Sequence, residues 1–193
     1  MAIPVQKRRY SIEEYLEQEL TALDRHEFHD GEILAMSGGS IEQRLIAANI
    51  LREIGNALKG KPCRAADSNL CVRIPGKSRY MYPDALVFCG PPQFDPQDDK
   101  RHTIINPRVI IEILAPSAEA YDRGDKFTQY RQIPSFEEYI LISQDRPNVE
   151  SYHRQPDGTW PAVNFTDLAE TAKIRSLGIE FPMTEVYAGI EWP

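Results

Sequence analysis

The chain has 193 residues, of which 22 are Lys or Arg and 29 are Asp or Glu, so its formal net charge is −7. Hydrophobic residues make up 41% and charged residues 26%, a balance that is typical of a globular protein with its own core and excludes a wholly disordered chain. The length fits one domain, which we expect to span residues 1–193. The acidic balance argues against strong nonspecific binding to nucleic acid, because Lys and Arg carry phosphate binding.

The apolar stretches are far shorter than the roughly 18 residues that cross a bilayer, and Glu112 interrupts the one at residues 108–114. We therefore expect no membrane span. The three cysteines, Cys63, Cys71 and Cys89, are odd in number and form no C-x-x-C pattern. This fits a reducing compartment better than a disulfide framework or a zinc site, so the sequence predicts a cytoplasmic protein.

The first elements are marked by capping and turn residues. Ser11-Ile-Glu-Glu14 is a capping box and predicts a helix that ends near Leu20. Residues 26–36 predict a β-hairpin, because Asp30-Gly31 supplies the positive φ angles of a type I′ turn. Ser40-Ile-Glu-Gln43 is a second capping box and opens the longest predicted helix. Behind it, apolar residues recur every four positions as far as Gly60: Ile46, Ile50, Ile54 and Leu58.

The middle of the chain alternates between predicted strands and loops. Leu70, Val72 and Ile74 alternate with other residues as in a half-buried strand, and residues 85–88 predict a further strand after Pro83-Asp84. Residues 90–106 are rich in Pro, Asp and Gln, so we expect a surface loop that is disordered or faces a partner.

The second half predicts a buried strand, a helix and more strands. Residues 108–114 hardly alternate, which is typical of a strand that is buried on both faces. Residues 122–132 predict a helix, residues 138–142 a strand, residues 148–165 a hairpin around Pro156-Asp-Gly158, and residues 174–188 a short strand with a terminal helix. This order predicts an α/β or α+β fold with a mixed sheet.

Glu112 is anomalous because it shares the face of its predicted strand with Ile110 and Leu114. A carboxylate on an apolar face is costly unless a cation or hydrogen bonds satisfy it. A structural ion pair, or a face that turns outward at the strand end, would explain Glu112. We prefer a functional carboxylate, because perturbed buried acids cluster at functional sites.

Asp84 is the expected partner of Glu112. It stands at the start of the predicted strand 85–88, where its side chain can point into a cleft shared with a neighbouring strand. Two carboxylates of this kind suit Mg²⁺ or Mn²⁺, which need few protein ligands. Alone, Asp84 is better explained as a turn residue.

These residues carry a resemblance to a known family. Pro83-Asp84, followed by Glu112 in an apolar strand, resembles the pattern of PD-(D/E)XK nucleases. More closely, the chain resembles the Uma-type family of restriction-endonuclease-like proteins, which is most common in cyanobacteria. The matching segments occur in the family's order between about Tyr10 and Tyr187: Glu27-Phe-His-Asp-Gly-Glu32, Met36-Ser-Gly-Gly39, Pro83-Asp84, Val109-Ile-Ile-Glu-Ile-Leu-Ala-Pro-Ser117, Tyr121-Asp-Arg-Gly-Asp-Lys126, Tyr130 and Glu138-Tyr-Ile140.

The resemblance implies a restriction-endonuclease-like fold, in which a mixed sheet is flanked by helices and carries additional hairpins. It also implies Mg²⁺-dependent (or Mn²⁺-dependent) hydrolysis of phosphodiester bonds, with Asp84 and Glu112 as metal ligands. The nuclease pattern places a Lys two residues after the acid, where this chain has Leu114. Lys126 would then supply the positive charge. A surface ion pair between Asp122 and Lys126, which are four residues apart on the predicted helix, is the alternative.

Further positions follow from the same resemblance. Glu27 matches a recurrent acid of the first hairpin, although an exposed hairpin residue is an equal explanation. Gln43 stands where family members usually carry His, and Gln can form hydrogen bonds but cannot titrate. The supporting residues of the site would be Glu27, Gln43 and Tyr130.

Two functions remain open from the sequence. The first is a metal-dependent endonuclease, an enzyme acting on DNA as a homodimer, since two-fold symmetry suits the cutting of both strands. The second is a catalytically inactive nuclease-fold protein that serves as a binding or assembly module. The acidic charge and Gln43 favour the second function, whereas the retained Asp84 and Glu112 favour the first.

Overall fold

A computed structural model describes residues 8–36 and 38–192. Residues 1–7, Ser37 and Pro193 lie outside this description, and Ser37 belongs to the matching segment 36–39. The helices of the described ranges are α1 (Ile12–Thr21), α2 (Ile41–Ala57), α3 (Glu119–Tyr121), a π-helix (Asp122–Lys126), α4 (Phe127–Tyr130), a 3₁₀-helix (Arg175–Leu177) and α5 (Met183–Val186). None of these helices is long and apolar enough to cross a membrane.

The strands occur on both sides of the long helix α2. In chain order they are β1 (His26–His29), β2 (Glu32–Ala35), β3 (Cys63–Asp67), β4 (Cys71–Arg73), β5 (Arg79–Met81), β6 (Ala85–Cys89), β7 (Thr103–Ile104), β8 (Val109–Leu114), β9 (Glu138–Ser143), β10 (Val149–His153), β11 (Ala162–Phe165), β12 (Thr171–Ile174) and β13 (Ile179–Pro182).

The largest sheet of the described residues is mixed, as predicted. Its strand order is β11-β10-β9-β8-β6-β3, with β8 and β9 parallel and the other neighbours antiparallel. The chain reaches β9 from β8 through α3, the π-helix and α4. This crossover is needed because parallel neighbours cannot be joined by a tight turn. The architecture is therefore α+β, with helices against a mixed sheet.

Strand β8 is buried along its whole length, which explains its continuous apolar sequence. Val109, Ile111 and Ile113 belong to a core with the inner face of α2. Ile110 and Leu114 belong to a second core, on the other face, with the aromatic residues that follow the π-helix. Each buried Ile or Leu stabilises the fold by roughly 1.5 to 3 kcal/mol. Glu112 lies between Ile110 and Leu114 on that second face.

A second sheet carries the predicted hairpin over this face. Its strand order is β2-β1-β5-β4-β7. The hairpin β1-β2 turns at Asp30 and Gly31, whose φ angles are +50° and +100°, so the predicted type I′ chemistry is confirmed. Helix α1 packs on the hairpin through Tyr15, which stacks on Phe28. These contacts fix where the side chains of β1 point.

The two predicted capping boxes differ. In α1 both halves form, since Ser11 accepts from the backbone of Glu14 and Glu14 accepts from the backbone of Ser11. In α2 only the first half forms, between Ser40 and the backbone of Gln43. The side chain of Gln43 instead donates to Asp84. The second capping box is therefore wrong in its second half, because the side chain of Gln43 points toward Asp84 and away from the cap backbone.

The expectation of disorder at residues 90–106 is also wrong, whereas the expectation that this exposed segment faces a partner stays a prediction. Strand β7 pairs in this segment, and Phe94 bridges to Ile104. Asp95 is buried, forms an ion pair with Arg73, and accepts a hydrogen bond of 2.5 Å from the hydroxyl of Tyr80. The segment is polar because Asp95 anchors it, and composition alone does not reveal such an anchor.

Other boundaries need correction. The helix predicted at residues 122–132 begins earlier, at Glu119, contains the π-helix and ends at Tyr130. The strand around Leu70 to Ile74 is confined to β4, and strands β3, β5, β7 and β12 were missed. Short strands of two to five residues give little periodicity to detect.

The expectation that the cysteines form no disulfide is wrong as well. Cys63 and Cys89 are direct cross-strand partners in β3 and β6, and they form a disulfide. Cys71 is free and buried. Counting cysteines could not show this pairing, because it depends on the register of two strands that are distant in sequence.

Candidate functional site

A cavity of about 370 Å³ lies between the hairpin β1-β2, the end of β8 and the π-helix. Five of the six predicted site residues line it: Glu27, Gln43, Asp84, Glu112 and Lys126. The sixth, Tyr130, reaches the site from behind, because its hydroxyl donates to Oε1 of Glu112 at 3.1 Å. The structure therefore brings all six residues together, although they come from six different elements or loops.

Asp84 and Glu112 are linked by hydrogen bonds through the backbone of two neighbouring strands. The backbone N–H of Ile113 donates to Oδ2 of Asp84 at 2.7 Å, and the N–H of Asp84 donates to Oε2 of Glu112 at 3.3 Å. Residue 84 directly precedes β6, whose Ala85 is the register partner of Ile111 in β8. Antiparallel pairing therefore places the acid before one strand beside the acid within the other.

Burial raises the pKa of both carboxyl groups. Glu112 is 2% exposed, and the pKa of its side chain is raised well above the usual value by burial, against the lowering effect of Lys126. The pKa of Asp84 is raised by the same cause, although Lys126 and the donors Ile113 and Gln43 oppose the shift. The charge of Asp84 also raises the pKa of Glu112, and the charge of Glu27 raises the pKa of Asp84. Close acids with raised pKa values are a feature of functional sites.

Lys126 is the counter-charge of the site. Its Nζ lies 2.8 Å from Oε1 of Glu112, 3.6 Å from Oε1 of Glu27 and 3.6 Å from Oδ1 of Asp122. Burial lowers the pKa of Lys126, but the three carboxylates outweigh burial and raise it well above its usual value. Lys126 is 5% exposed. The pair with Asp122 is therefore buried in the cavity, not on the surface.

Glu27 is buried too, so it is not an exposed hairpin residue. Its Oε1 accepts a hydrogen bond from the backbone of Tyr82 at 3.3 Å, and its Oε2 lies 3.1 Å from Nε2 of His29. Burial raises the pKa of Glu27, but the lowering effects of Lys126, His29 and the backbone of Tyr82 together are larger, so the net shift is downward. Glu27 thus behaves as an ionised partner of the lysine, whereas Glu112 favours a proton or a cation.

Three residues at the cavity were not selected from the sequence: His29, Tyr121 and Asp122. His29 had a detectable signal, because residues two apart on a strand share a face and Glu27 was already a candidate. The hydroxyl of Tyr121 lies 3.4 Å from Oε2 of Glu27. The position of Tyr121 depends on the turn after β8, and no strand periodicity of this kind indicated it. Burial raises the pKa of Asp122 to about 6.

Gln43 reaches the acid pair from the first turn of α2. Its Nε2 lies 3.2 Å from Oδ1 and 3.3 Å from Oδ2 of Asp84, and 3.4 Å from the carbonyl oxygen of Ile113. The helix begins at this point because Ser40 caps it. The cap therefore sets the position from which Gln43 extends into the cavity.

The charge balance of the cavity fits a divalent cation. Four carboxylates, those of Glu27, Asp84, Glu112 and Asp122, face the single ammonium of Lys126 among the described lining residues. Within the described part of the chain, however, no three His, Cys, Asp or Glu side chains are arranged as a metal cluster. Asp84 and Glu112 would therefore share an ion with neutral oxygens and water, as Mg²⁺ sites commonly do.

The chain is similar to known proteins over most of its length. The model of the Uma2 family, described as "Putative restriction endonuclease", matches residues 12–184. Two proteins of Synechocystis sp. (strain ATCC 27184 / PCC 6803 / Kazusa), named as the uncharacterized proteins slr1290 and sll1609, are similar. The first is 34% identical over 183 residues, which cover 94% of this chain and 93% of that protein. The second is 33% identical over 147 residues, which cover 76% and 82%.

One solved structure has the same fold. It is the crystal structure of "a putative nuclease belonging to DUF820" from Anabaena variabilis ATCC 29413, with a TM-score of 0.73 and 16% identity. The match covers 93% of this chain and 98% of that chain. At this identity the likeness shows the fold alone, which is the predicted nuclease-like α+β architecture.

Proposed function

Since the chain belongs to the Uma2 family, we propose that it is a metal-dependent endonuclease, a hydrolase that cleaves phosphodiester bonds of DNA. The observation that carries this proposal is the pair of Asp84 and Glu112 with buried Lys126 against it. Two close acids and a cation at one cavity are the groups that phosphodiester hydrolysis requires.

The residues have distinct roles in this proposal. Asp84 and Glu112 would hold Mg²⁺ or Mn²⁺, which would polarise the phosphate and lower the pKa of the attacking water. Lys126 would stabilise negative charge that develops on the phosphate. Tyr130 and the backbone of Ile113 fix the orientation of the two carboxylates through their hydrogen bonds. Glu27 holds Lys126 in the cavity as its second carboxylate partner.

A second cavity supports a nucleic-acid substrate. It also has a volume of about 370 Å³ and shares Met36, Gln43 and Asp84 with the first cavity, so the two form one groove. Arg25 and Arg44 line the second cavity. Among the described residues, no carboxylate forms an ion pair with Arg44, whose Nε donates to the carbonyl of Gly39. A phosphate next to the cleaved bond would bind there to the guanidinium of Arg44.

We also propose that the chain acts as one domain, in the cytoplasm, and as a homodimer. Exposed leucines at the rims of the two cavities support the homodimer: Leu23 and Leu34. A second copy that covered them would bring two sites together on one duplex. Light scattering during size exclusion would show a particle of twice the monomer mass, and Leu23→Glu would reduce it to the monomer.

A catalytically inactive binding module is the second candidate. The observation that favours it is that both acids already have partners, Lys126 on Glu112 and Gln43 on Asp84. In that case the contacts are structural, and the protein binds its partner without metal or cleavage.

Binding of Mn²⁺ distinguishes the two candidates without knowledge of the target sequence. We expect Mn²⁺ at about 100 times its dissociation constant to stabilise the wild type by roughly 2.7 kcal/mol, which raises the Tm of a chain of this size by about 5 to 11 °C. Asp84→Asn and Glu112→Gln should abolish this shift. Glu180→Gln, at an exposed site on β13, is the matched control and should keep it. A wild type that ignores the metal contradicts the endonuclease proposal.

Cleavage is then measured on a pool of duplex DNA with random sequences, with Mg²⁺, by sequencing the ends that appear. The wild type should produce ends that Glu112→Gln, purified in the same way, does not. Mn²⁺ binding without new ends in any DNA pool would leave the binding module as the better description.

A further inference from the structure

The amide of Gln43 occupies the point where three oxygens of the site converge. Its Nε2 is at similar distances from both carboxylate oxygens of Asp84 and from the carbonyl oxygen of Ile113, between 3.2 and 3.4 Å. A primary amide has two N–H donors, which are here shared among three acceptors. Convergent oxygens of this kind are an environment for a cation, and the amide nitrogen lies beside them as a hydrogen-bond donor.

The other end of the same amide is an oxygen of nearly equal size. Rotation of the amide about its last side-chain bond exchanges Nε2 with Oε1 and leaves the shape of the side chain almost unchanged. The exchange turns a donor that competes with a cation into a carbonyl oxygen that can bind one. Amide oxygens are suitable ligands for hard divalent cations.

Gly39 provides the room that this amide needs. A Cβ at position 39 would lie 2.6 Å from Oε1 and 3.0 Å from Cδ of Gln43, so the amide would have to shift. The backbone of Gly39 does not have a positive φ, so its conformation does not itself require glycine. An alanine at position 39 would therefore act on the site through the position of the Gln43 amide.

The carboxylates alone leave the ligand set incomplete. Glu27 is held by His29 and the backbone of Tyr82, and in the described residues no third acidic, His or Cys side chain joins Asp84 and Glu112 as a metal cluster. A neutral side-chain oxygen is the donor that remains beside them, and Gln43 is already in contact with Asp84.

We propose that Gln43 is the third side-chain ligand of the divalent cation, bound through Oε1 after rotation of its amide. The inference rests on the proposed function, because it assumes that Asp84 and Glu112 hold Mg²⁺ or Mn²⁺. In the structure the amide nitrogen bridges Asp84 and the carbonyl of Ile113, so binding of the ion through Oε1 requires that the two ends of the amide exchange.

The first test measures the dissociation constant of Mn²⁺ alone by titration of the full chain, without DNA. Gln43→Met keeps the length of the side chain and removes both amide atoms, and Gln43→Glu keeps an oxygen at the same place. We expect Gln43→Met to weaken Mn²⁺ binding at least about tenfold. Tenfold is the lower end of the loss in metal affinity when a group that supports a metal site is removed. Gln43→Glu should bind at least as tightly as the wild type. Gln132→Met, on an exposed glutamine, is the matched control and should not change the affinity.

The direction of the Gln43→Met effect decides the question. If the amide only covers the site, its removal eliminates a competitor of the ion, and Gln43→Met binds Mn²⁺ as tightly as the wild type or more tightly. That result overturns the inference and leaves the proposed function intact, provided that Glu112→Gln still abolishes binding. A wild type that does not bind Mn²⁺ overturns both.

The second test moves the amide without changing Gln43. Gly39→Ala places a methyl group against the amide, and we expect it to weaken Mn²⁺ binding severalfold. Gly38→Ala is the matched control, because its added Cβ would meet only Nη2 of Arg44 at 3.8 Å, an ordinary contact. Equal Mn²⁺ affinities of the two alanine variants, each melting like the wild type without metal, would overturn the inference.

Discussion

Replacement of Lys126 by methionine tests the electrostatics of the site most directly. Methionine is similar in length but has no charge. The substitution leaves the carboxylates of Glu112, Glu27 and Asp122, which lie 2.8, 3.6 and 3.6 Å from Nζ, without their common cation. Removal of one partner of a buried ion pair destabilises proteins by about 3 to 5 kcal/mol. We expect a loss in this range for Lys126→Met at pH 8, in the absence of divalent metal.

The loss should depend on pH in a defined direction. Lys126 lowers the pKa of Glu112 and Asp122, so the variant has still higher values than the wild type, in which the pKa of Asp122 is about 6. A carboxyl group whose pKa is raised on folding binds more protons in the native state than in the unfolded state. Stability then falls as the pH rises from the unfolded pKa of about 4 through the folded pKa. Lys126→Met should therefore lose much less stability at pH 5 than at pH 8.

Urea denaturation at pH 5, 6.5 and 8 measures these free energies of unfolding. Lys173→Met is the matched control, because the Lys173 side chain is 57% exposed and its pair with Glu180 spans 3.5 Å. Such surface pairs contribute at most about 1 kcal/mol. The double variant Lys126→Met/Glu112→Gln should recover part of the loss, since it removes one of the stranded charges. A loss below about 1 kcal/mol at pH 8, or one that does not change with pH, would refute the reasoning.

Three further outcomes follow from the geometry. Mn²⁺ affinity should fall as the pH is lowered from 8 to 5.5, because Asp84 and Glu112 have raised pKa values and must release protons to bind the ion. Calorimetry in two buffers of different ionisation enthalpy measures the number of protons that are released. Asp95→Ala should destabilise the fold by about 3 to 5 kcal/mol in urea, because it strands the guanidinium of Arg73. Arg44→Gln should reduce the slope of log affinity for duplex DNA against log salt concentration by about 0.9, the value for one phosphate contact, in anisotropy titrations with Ca²⁺.

The acid pair was predictable because each residue breaks a local rule. Glu112 interrupts a run of apolar residues that are all buried, and a strand places it on the face of Ile110 and Leu114 whatever the rest of the fold. Asp84 stands at the start of an apolar strand. Patterns of this kind depend only on residues near in sequence, so they can be recognised without knowledge of the fold.

The contacts that the sequence did not predict depend on distant residues. Gln43 fits a capping box locally, but its side chain bonds Asp84, which a different element brings within reach. Asp95 belongs to a polar segment that is ordered by Arg73 and Tyr80. The partner of Cys63 follows from the register of β3 and β6. In each case the local pattern allows several partners, and tertiary packing selects one.

The cavity as a whole also bears on the two explanations of Glu112 that the sequence left open. A structural ion pair needs one carboxylate for one ammonium, and Lys126 at 2.8 Å would satisfy Glu112. It would leave no reason for Asp84, Asp122 and Glu27 to face the same ammonium, since every added buried acid raises the electrostatic cost of the folded state. The raised pKa values of Asp84, Glu112 and Asp122 express that cost. An excess of carboxylates is unfavourable for stability alone but gives the cavity affinity for a cation, which favours the functional explanation.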